Sequence, residues 1–272
     1  MDEYNKLWGK IIPILIIILF LLFAIFSRVG SAYEVPVLCY HHFEDEESEN
    51  PDVMKIDQFE EQMSYLVDND YQTLSLDEFM KYHKQDDFPE NSILLTFDDG
   101  YESFYTKVYP ILKKYDLQAV VFPIVSSMPG LQRRKIWTER LTFHQMRYMQ
   151  QESGLVEVGS HTYDLHYYRD DEQQAVKRKE GESEEDYICR LRKDLSTSRK
   201  LLEFQTDQKV NALAWPYGVR TATAEEVALE AGYELLFTIV PEKFSPDHSL
   251  EAIPRFVITE DMNMEEFINI LN

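Results

Sequence analysis

Leu94-Leu95-Thr96-Phe97-Asp98-Asp99-Gly100, opened by Ser92 and Ile93, is an apolar run that closes on two adjacent carboxylates and a glycine. It reads as a buried strand, and the glycine gives the backbone room to turn sharply at its end. Neighbouring carboxylates repel unless a cation or a shared proton relieves them. Side chains alternate across a strand, but a strand end that turns can bring both carboxylates to one cleft. One could then hold a metal while the other takes a proton from water. Taken alone, Asp-Asp-Gly is more often only a turn.

Outward from this strand, short apolar runs alternate with amphipathic segments. Val35 to Tyr40, Ser92 to Phe97, Ala119 to Val125, Val156 to Gly159, Ala212 to Trp215, Leu235 to Ile239 and Ile253 to Ile258 read as strands. Ile56 to Asn69, Ser103 to Tyr115, Thr142 to Ser153, Tyr187 to Phe204, Thr223 to Ala231 and Met264 to Leu271 read as helices. The alternation predicts an α/β fold of parallel strands with helices outside, closed or nearly closed into a barrel. A ligand site then belongs at the carboxyl ends of the strands, where Asp98-Asp99, His161 and Trp215-Pro216-Tyr217-Gly218 fall.

Histidines change the weight given to the paired carboxylates. His161 and His166 flank a five-residue interval after the Leu155 to Val158 strand and a Gly159-Ser160 break. That interval does not turn both rings to one side of a regular strand or helix, so a shared ligand requires a loop between them. By itself it fits two surface or capping histidines equally well. With Asp98-Asp99 it makes an Asp-His-His set suited to zinc or another borderline divalent ion doing hydrolysis.

Ile11 to Phe26 is uncharged, nearly all aliphatic or aromatic, and bounded by Lys10 and Arg28. Residues 1–32 are therefore expected to form a single-pass membrane anchor, or a signal peptide cleaved near Gly30-Ser31-Ala32, and residues 33–272 one catalytic domain. Either choice puts the domain outside the cell, on the outer face of the membrane or secreted. The first 32 residues carry three basic and two acidic side chains, so the net charge of −22 leaves −23 on the remainder. Such an imbalance excludes a phosphate-binding nucleic-acid partner and tolerates a cationic polymer, although solubility alone explains it as well. Cys39 and Cys189 make no disulfide framework, and both are expected to be free, with Cys39 buried. The acidic run Glu44 to Asp52 and the mixed charges of Asp170 to Asp186 read as solvated loops.

The ordered set Val37-Leu38-Cys39-Tyr40-His41, Thr96-Phe97-Asp98-Asp99-Gly100, Ser160-His161-Thr162-Tyr163-Asp164-Leu165-His166 and Trp215-Pro216-Tyr217-Gly218 resembles the polysaccharide deacetylases of the NodB-homology, carbohydrate esterase family 4 type. Its nearest likeness is to the branch acting on poly-β-1,6-N-acetylglucosamine in biofilm matrices, and it covers most of residues 35 to 260. The resemblance implies a deformed (β/α) barrel of seven strands and metal-dependent N-deacetylation of an extracellular polymer. It implies Asp98 as catalytic base and Asp99, His161 and His166 as ligands of a divalent metal, with zinc first and nickel, cobalt or iron as further candidates. His41 is matched to a general acid and His42 left a spectator. Tyr217 is matched to an oxyanion-holding backbone N–H. Trp215, Pro216 and Tyr163 are expected to shape the sugar-binding wall, although Trp215 and Tyr163 suit core filling equally well.

Many relatives carry an arginine, at the position of Ala214, that orients the catalytic aspartate. Here Arg255 is the candidate to reach the site from another strand end. Peptidoglycan or chitin-oligomer deacetylation uses the same residues, a glycoside hydrolase would need carboxylates paired across a sugar and no metal, and a non-catalytic polysaccharide-binding protein is the reading if the absent arginine marks decay.

Overall fold

The computed structural model describes residues 33–132, 138–167 and 174–272. Its framework is a parallel sheet. Strand β1 (Val37–Tyr40) lies between β10 (Phe256–Val257) and β5 (Ser92–Asp99), and β5 continues to β6 (Ala119–Pro123) and β7 (Val156–Val158). The short strand β4 (Gln72–Thr73) joins the start of β5. Two further parallel pairs are β2 (His42–Glu44) with β3 (Val53–Lys55), and β8 (Ala212–Ala214) with β9 (Leu235–Phe237). Single bridges join Ser160 to Leu213 and Phe237 to Ile253.

All eight residues of β5 are buried, because a parallel strand covered on both faces has no solvent side. Alternate residues separate accordingly. Leu95 and Phe97 enter one core cluster with Leu38, Tyr40 and Val121, whereas Leu94 joins Val37, Val120, Ala212 and Leu235 in a second. The second cluster thus draws on five strands.

Seven α-helices are described: α1 (Ile56–Asp68), α2 (Leu76–Gln85), α3 (Tyr109–Tyr115), α4 (Phe143–Ser153), α5 (Glu184–Thr206), α6 (Ala222–Glu230) and α7 (Met264–Leu271). Periodicity locates six of them, and α2 is the addition. Its signal is the Ser75-Leu76-Asp77-Glu78 capping box, in which the Ser75 side chain accepts from Glu78 N–H and the Glu78 side chain from Ser75 N–H. Ser103 to Tyr115 is not one regular helix, since Phe104–Val108 is a π turn that leads into α3.

Among the described residues no helix is long and apolar enough to cross a membrane. The 23-residue α5 has the length, but charges from Glu184 to Glu203 run along it. The expectation of a single-pass anchor, with its membrane partner and its location on the membrane's outer face, is corrected for the described residues, which contain no such helix. Residues 1–32, to which that expectation was attached, lie outside the described residues.

Glu157 on β7 supplies a pH test of the fold. Its carboxylate accepts the Leu76 N–H at 2.7 Å at the start of α2, and burial pushes its pKa up to about 7. A carboxyl that binds its proton more tightly when folded favours the fold in acid, so this stabilisation fades as pH rises from the unfolded value of 4.5 through 7. Glu157→Gln keeps the acceptor without the charge. It is expected to stabilise the protein by up to about 3 kcal/mol at alkaline pH and by little near the unfolded carboxyl pKa. Urea melts of both proteins across this range check it, and an equal gain at every pH would count against a titrating Glu157.

Candidate metal centre and active site

The end of β5 is where the strand period breaks. Asp99 has φ +69° and Gly100 φ +67°, and the Gly100 N–H donates to Asp98 O at 2.9 Å. A Cβ on Gly100 would lie 2.7 Å from Cβ and 2.8 Å from Cα of Pro123, so only glycine fits the turn. Asp98 and Asp99 are both buried, yet they meet different neighbours.

Asp99 faces the histidine loop. Its Oδ1 lies 3.5 Å from His161 Nε2 and 3.3 Å from His166 Nε2. The ligand atoms of the three residues lie within 4.8 Å of one another. His161 Nδ1–H donates to Ala214 O at 2.8 Å, which fixes the proton on Nδ1 and leaves the Nε2 lone pair toward Asp99. Burial lowers the His161 pKa to about 4, which keeps the ring neutral. The Asp99 Oδ1 is buried without a hydrogen-bond partner. An orphaned carboxylate oxygen opposite a lone pair is repulsive until a cation sits between them, so this donor set fits a divalent metal.

Asp98 faces Arg255 instead. The guanidinium donates from Nη1 to Oδ1 at 2.8 Å and from Nη2 to Oδ2 at 2.7 Å, and also to Thr96 Oγ1 and Thr238 O. Burial alone would push the Asp98 carboxyl up, but Arg255, aided by His161 and His41, holds it well below the usual carboxylate range. Arg255 is therefore the charged partner of Asp98. A second cluster, Cys39, His41 and Asp98, also falls within 4.8 Å. It fits a cation poorly, because Arg255 already occupies both Asp98 oxygens and burial pushes the Cys39 thiol well up, away from the thiolate a metal requires. Cys39 is buried and Cys189 exposed.

The two histidines after β1 separate clearly. His42 Nδ1 lies 2.8 Å from Ser103 Oγ and its Nε2 lies 3.3 Å from Glu44, so both ring nitrogens serve local structure. His41 Nδ1 is buried without a hydrogen-bond partner. Tyr217 has φ +57° and its ring lies 4.4 Å from that of His166. The following Gly218 has φ +65° and no room for a Cβ against Ile239, so this turn depends on glycine too.

Trp215 and Pro216 do not form an open wall. Trp215 is fully buried in the main core cluster and Pro216 is buried beside it, whereas Tyr163 is half-buried. The expected sugar-stacking role is corrected to core filling for Trp215, whose ring has no exposed face. Sequence reading also missed two residues beside Asp99. Tyr101 bridges antiparallel to Arg140, whose guanidinium lies 3.7 Å over the Tyr101 ring, and the Arg140 charge helps lower the Asp99 pKa. Nothing in the local pattern around Arg140 marks this approach, which depends on pairing across the chain.

Fold and site define a parallel α/β protein with a candidate divalent-metal centre at its strand ends. The chain belongs to the polysaccharide deacetylase family, which residues 85–236 match. It is similar to the poly-beta-1,6-N-acetyl-D-glucosamine N-deacetylase of Escherichia coli (strain K12), 28% identical over 252 residues, covering 85% of this chain and 37% of that protein. The chain thus spans little more than a third of that relative's length. The protein of the same name from Staphylococcus aureus (strain N315) is 29% identical over 237 residues, covering 87% of this chain and 78% of that one. Among solved structures, a de-N-acetylase from Aggregatibacter actinomycetemcomitans superposes with a TM-score of 0.76 at 26% identity, covering 88% of this chain and 100% of that one. A deacetylase domain from Bordetella bronchiseptica gives 0.71 at 27%, covering 84% and 97%.

Proposed function

We propose that residues 33–272 form a catalytic domain that removes N-acetyl groups from an extracellular N-acetylglucosamine polymer, poly-β-1,6-N-acetyl-D-glucosamine foremost, with zinc as the metal. The observation that carries the reading is the gathering of Asp99, His161 and His166 around an unpartnered carboxylate oxygen, beside a second carboxylate kept ionised by Arg255. The similarity to two deacetylases named for that polymer supports the substrate. We also propose a deformed seven-stranded barrel made of β1 and β5 to β10. The Ser160–Leu213 and Phe237–Ile253 bridges and the five-strand core cluster support it.

In this mechanism Asp99, His161 and His166 hold the cation. When bound there, it supplies Lewis acidity that polarises the acetamide carbonyl and makes water a better nucleophile. Asp98 accepts the proton from water as the new C–O bond forms, and Arg255 keeps its carboxylate oriented and charged. The Tyr217 backbone N–H donates to the developing oxyanion. His41 donates a proton to the nitrogen as the C–N bond breaks, which releases acetate and leaves a sugar amine.

The test is incubation with poly-N-acetylglucosamine while free amine and acetate are quantified. A chelator is expected to stop release and added zinc to restore it. Turnover that ignores the chelator would remove the metal from the reading. Acetate from chitin oligomers or peptidoglycan but none from the β-1,6 polymer would move the substrate, and polymer retention with no acetate from any substrate would leave only binding.

A further inference from the structure

We infer that Asp194, on α5, is a positioning residue that sets the spacing of the two histidine ligands. The inference rests on the reading of Asp99, His161 and His166 as a metal site. Five residues separate His161 from His166, and no regular backbone brings two rings that far apart in sequence to one point. The intervening loop must be held in one shape, and α5 supplies two of the bonds that hold it. Asp194 Oδ1 accepts the Tyr163 N–H at 2.8 Å and Oδ2 accepts the Asp164 N–H at 2.9 Å, so one carboxylate grips two successive peptide groups midway between the ligands. One helical turn further, Ser198 Oγ lies 2.6 Å from Ser160 Oγ, which accepts the Thr162 N–H at 3.1 Å. Two positions a turn apart on one helix thus grip the loop before His161 and after it.

The loop needs such a grip because its backbone is strained. Thr162 has φ +70°, a left-handed conformation unfavourable for a β-branched residue. The opposite side is tied by the Ser126 N–H to Tyr163 O at 2.8 Å and by Ser126 Oγ to Asp164 Oδ1 at 2.8 Å. Asp194 belongs to none of the ion pairs seen among the described residues. A largely enclosed carboxylate satisfied by peptide N–H groups is a costly way to fill a helix position. Its return is geometric: with the loop fixed, His161 and His166 present their Nε2 atoms to Asp99 at 3.5 and 3.3 Å.

The experiment measures zinc affinity of the full chain by competition with a chromophoric chelator, alongside melting temperature. Asp194→Ala is expected to stay folded and bind zinc roughly 10–100-fold more weakly, the range for groups that orient metal ligands. Asp194→Asn, which keeps one acceptor, should fall between it and the unsubstituted chain. Leu202→Ala, fully buried on the same helix two turns beyond Asp194, should melt earlier yet bind zinc as before. That contrast separates positioning from general loss of stability. A folded Asp194→Ala or, if that variant does not fold, a folded Asp194→Asn with unchanged zinc affinity overturns the inference. Zinc binding equal in the unsubstituted chain and His161→Ala would instead sink the metal-site reading, and this inference with it.

Discussion

Asp98→Asn is expected to lower acetate release by roughly 10²–10⁴-fold while leaving zinc stoichiometry unchanged. The carboxamide has nearly the same shape but accepts no proton at neutral pH, and the three candidate metal ligands, Asp99, His161 and His166, are untouched. The substitution also removes the countercharge of a fully buried guanidinium, because Arg255 bonds both Asp98 oxygens at 2.8 and 2.7 Å. A loss of about 3–5 kcal/mol in stability should accompany the loss of activity. Rates are therefore compared well below the variant's melting temperature, with bound zinc counted in the same sample. Near-normal turnover by a folded, zinc-loaded Asp98→Asn protein would reassign the base, and His41, within the same 4.8 Å cluster, would be the first residue to examine.

Much of this arrangement can be read before any coordinates. The apolar character of Ile93 to Phe97, interrupted only by Thr96, announces a strand covered on both faces, and the Asp-Asp-Gly closure announces where it turns. What the sequence withholds is distance. Arg255 stands 157 positions from Asp98, and Ile253-Pro254-Arg255-Phe256 does not say whether the guanidinium points to solvent or into the core. Trp215 beside a Pro-Tyr-Gly turn resembles a wall residue as much as a core one, and only the packing of β8 against its neighbours decides for the core. Asp194 lies within Arg192-Lys193-Asp194, three consecutive charges that look solvated. A signal was nonetheless present: it follows buried Leu191 by three residues and precedes buried Ser198 by four, so it borders the helix's inner stripe.

Removing the other half of the buried pair should be as damaging, by a different route. Arg255 is fully buried and spends its donors on Asp98, Thr96 Oγ1 and Thr238 O, so Arg255→Met leaves a carboxylate enclosed without a partner. The expected cost is about 3–5 kcal/mol, a fall of roughly 10 °C in melting temperature for a domain of this size. The fall in activity should appear in kcat more than in KM, because Arg255 acts on the base and lies too deep to touch sugar. Arg255→Lys restores the charge but not the two-pronged grip, and is expected to recover stability better than rate. The decisive comparison is the double variant Asp98→Asn with Arg255→Met, in which neither charge is stranded. If the pair is coupled as its geometry demands, the double variant loses less stability than the two single losses added together. Strict additivity would mean that Arg255 and Asp98 act independently, and orientation of the base would have to come from elsewhere in the site.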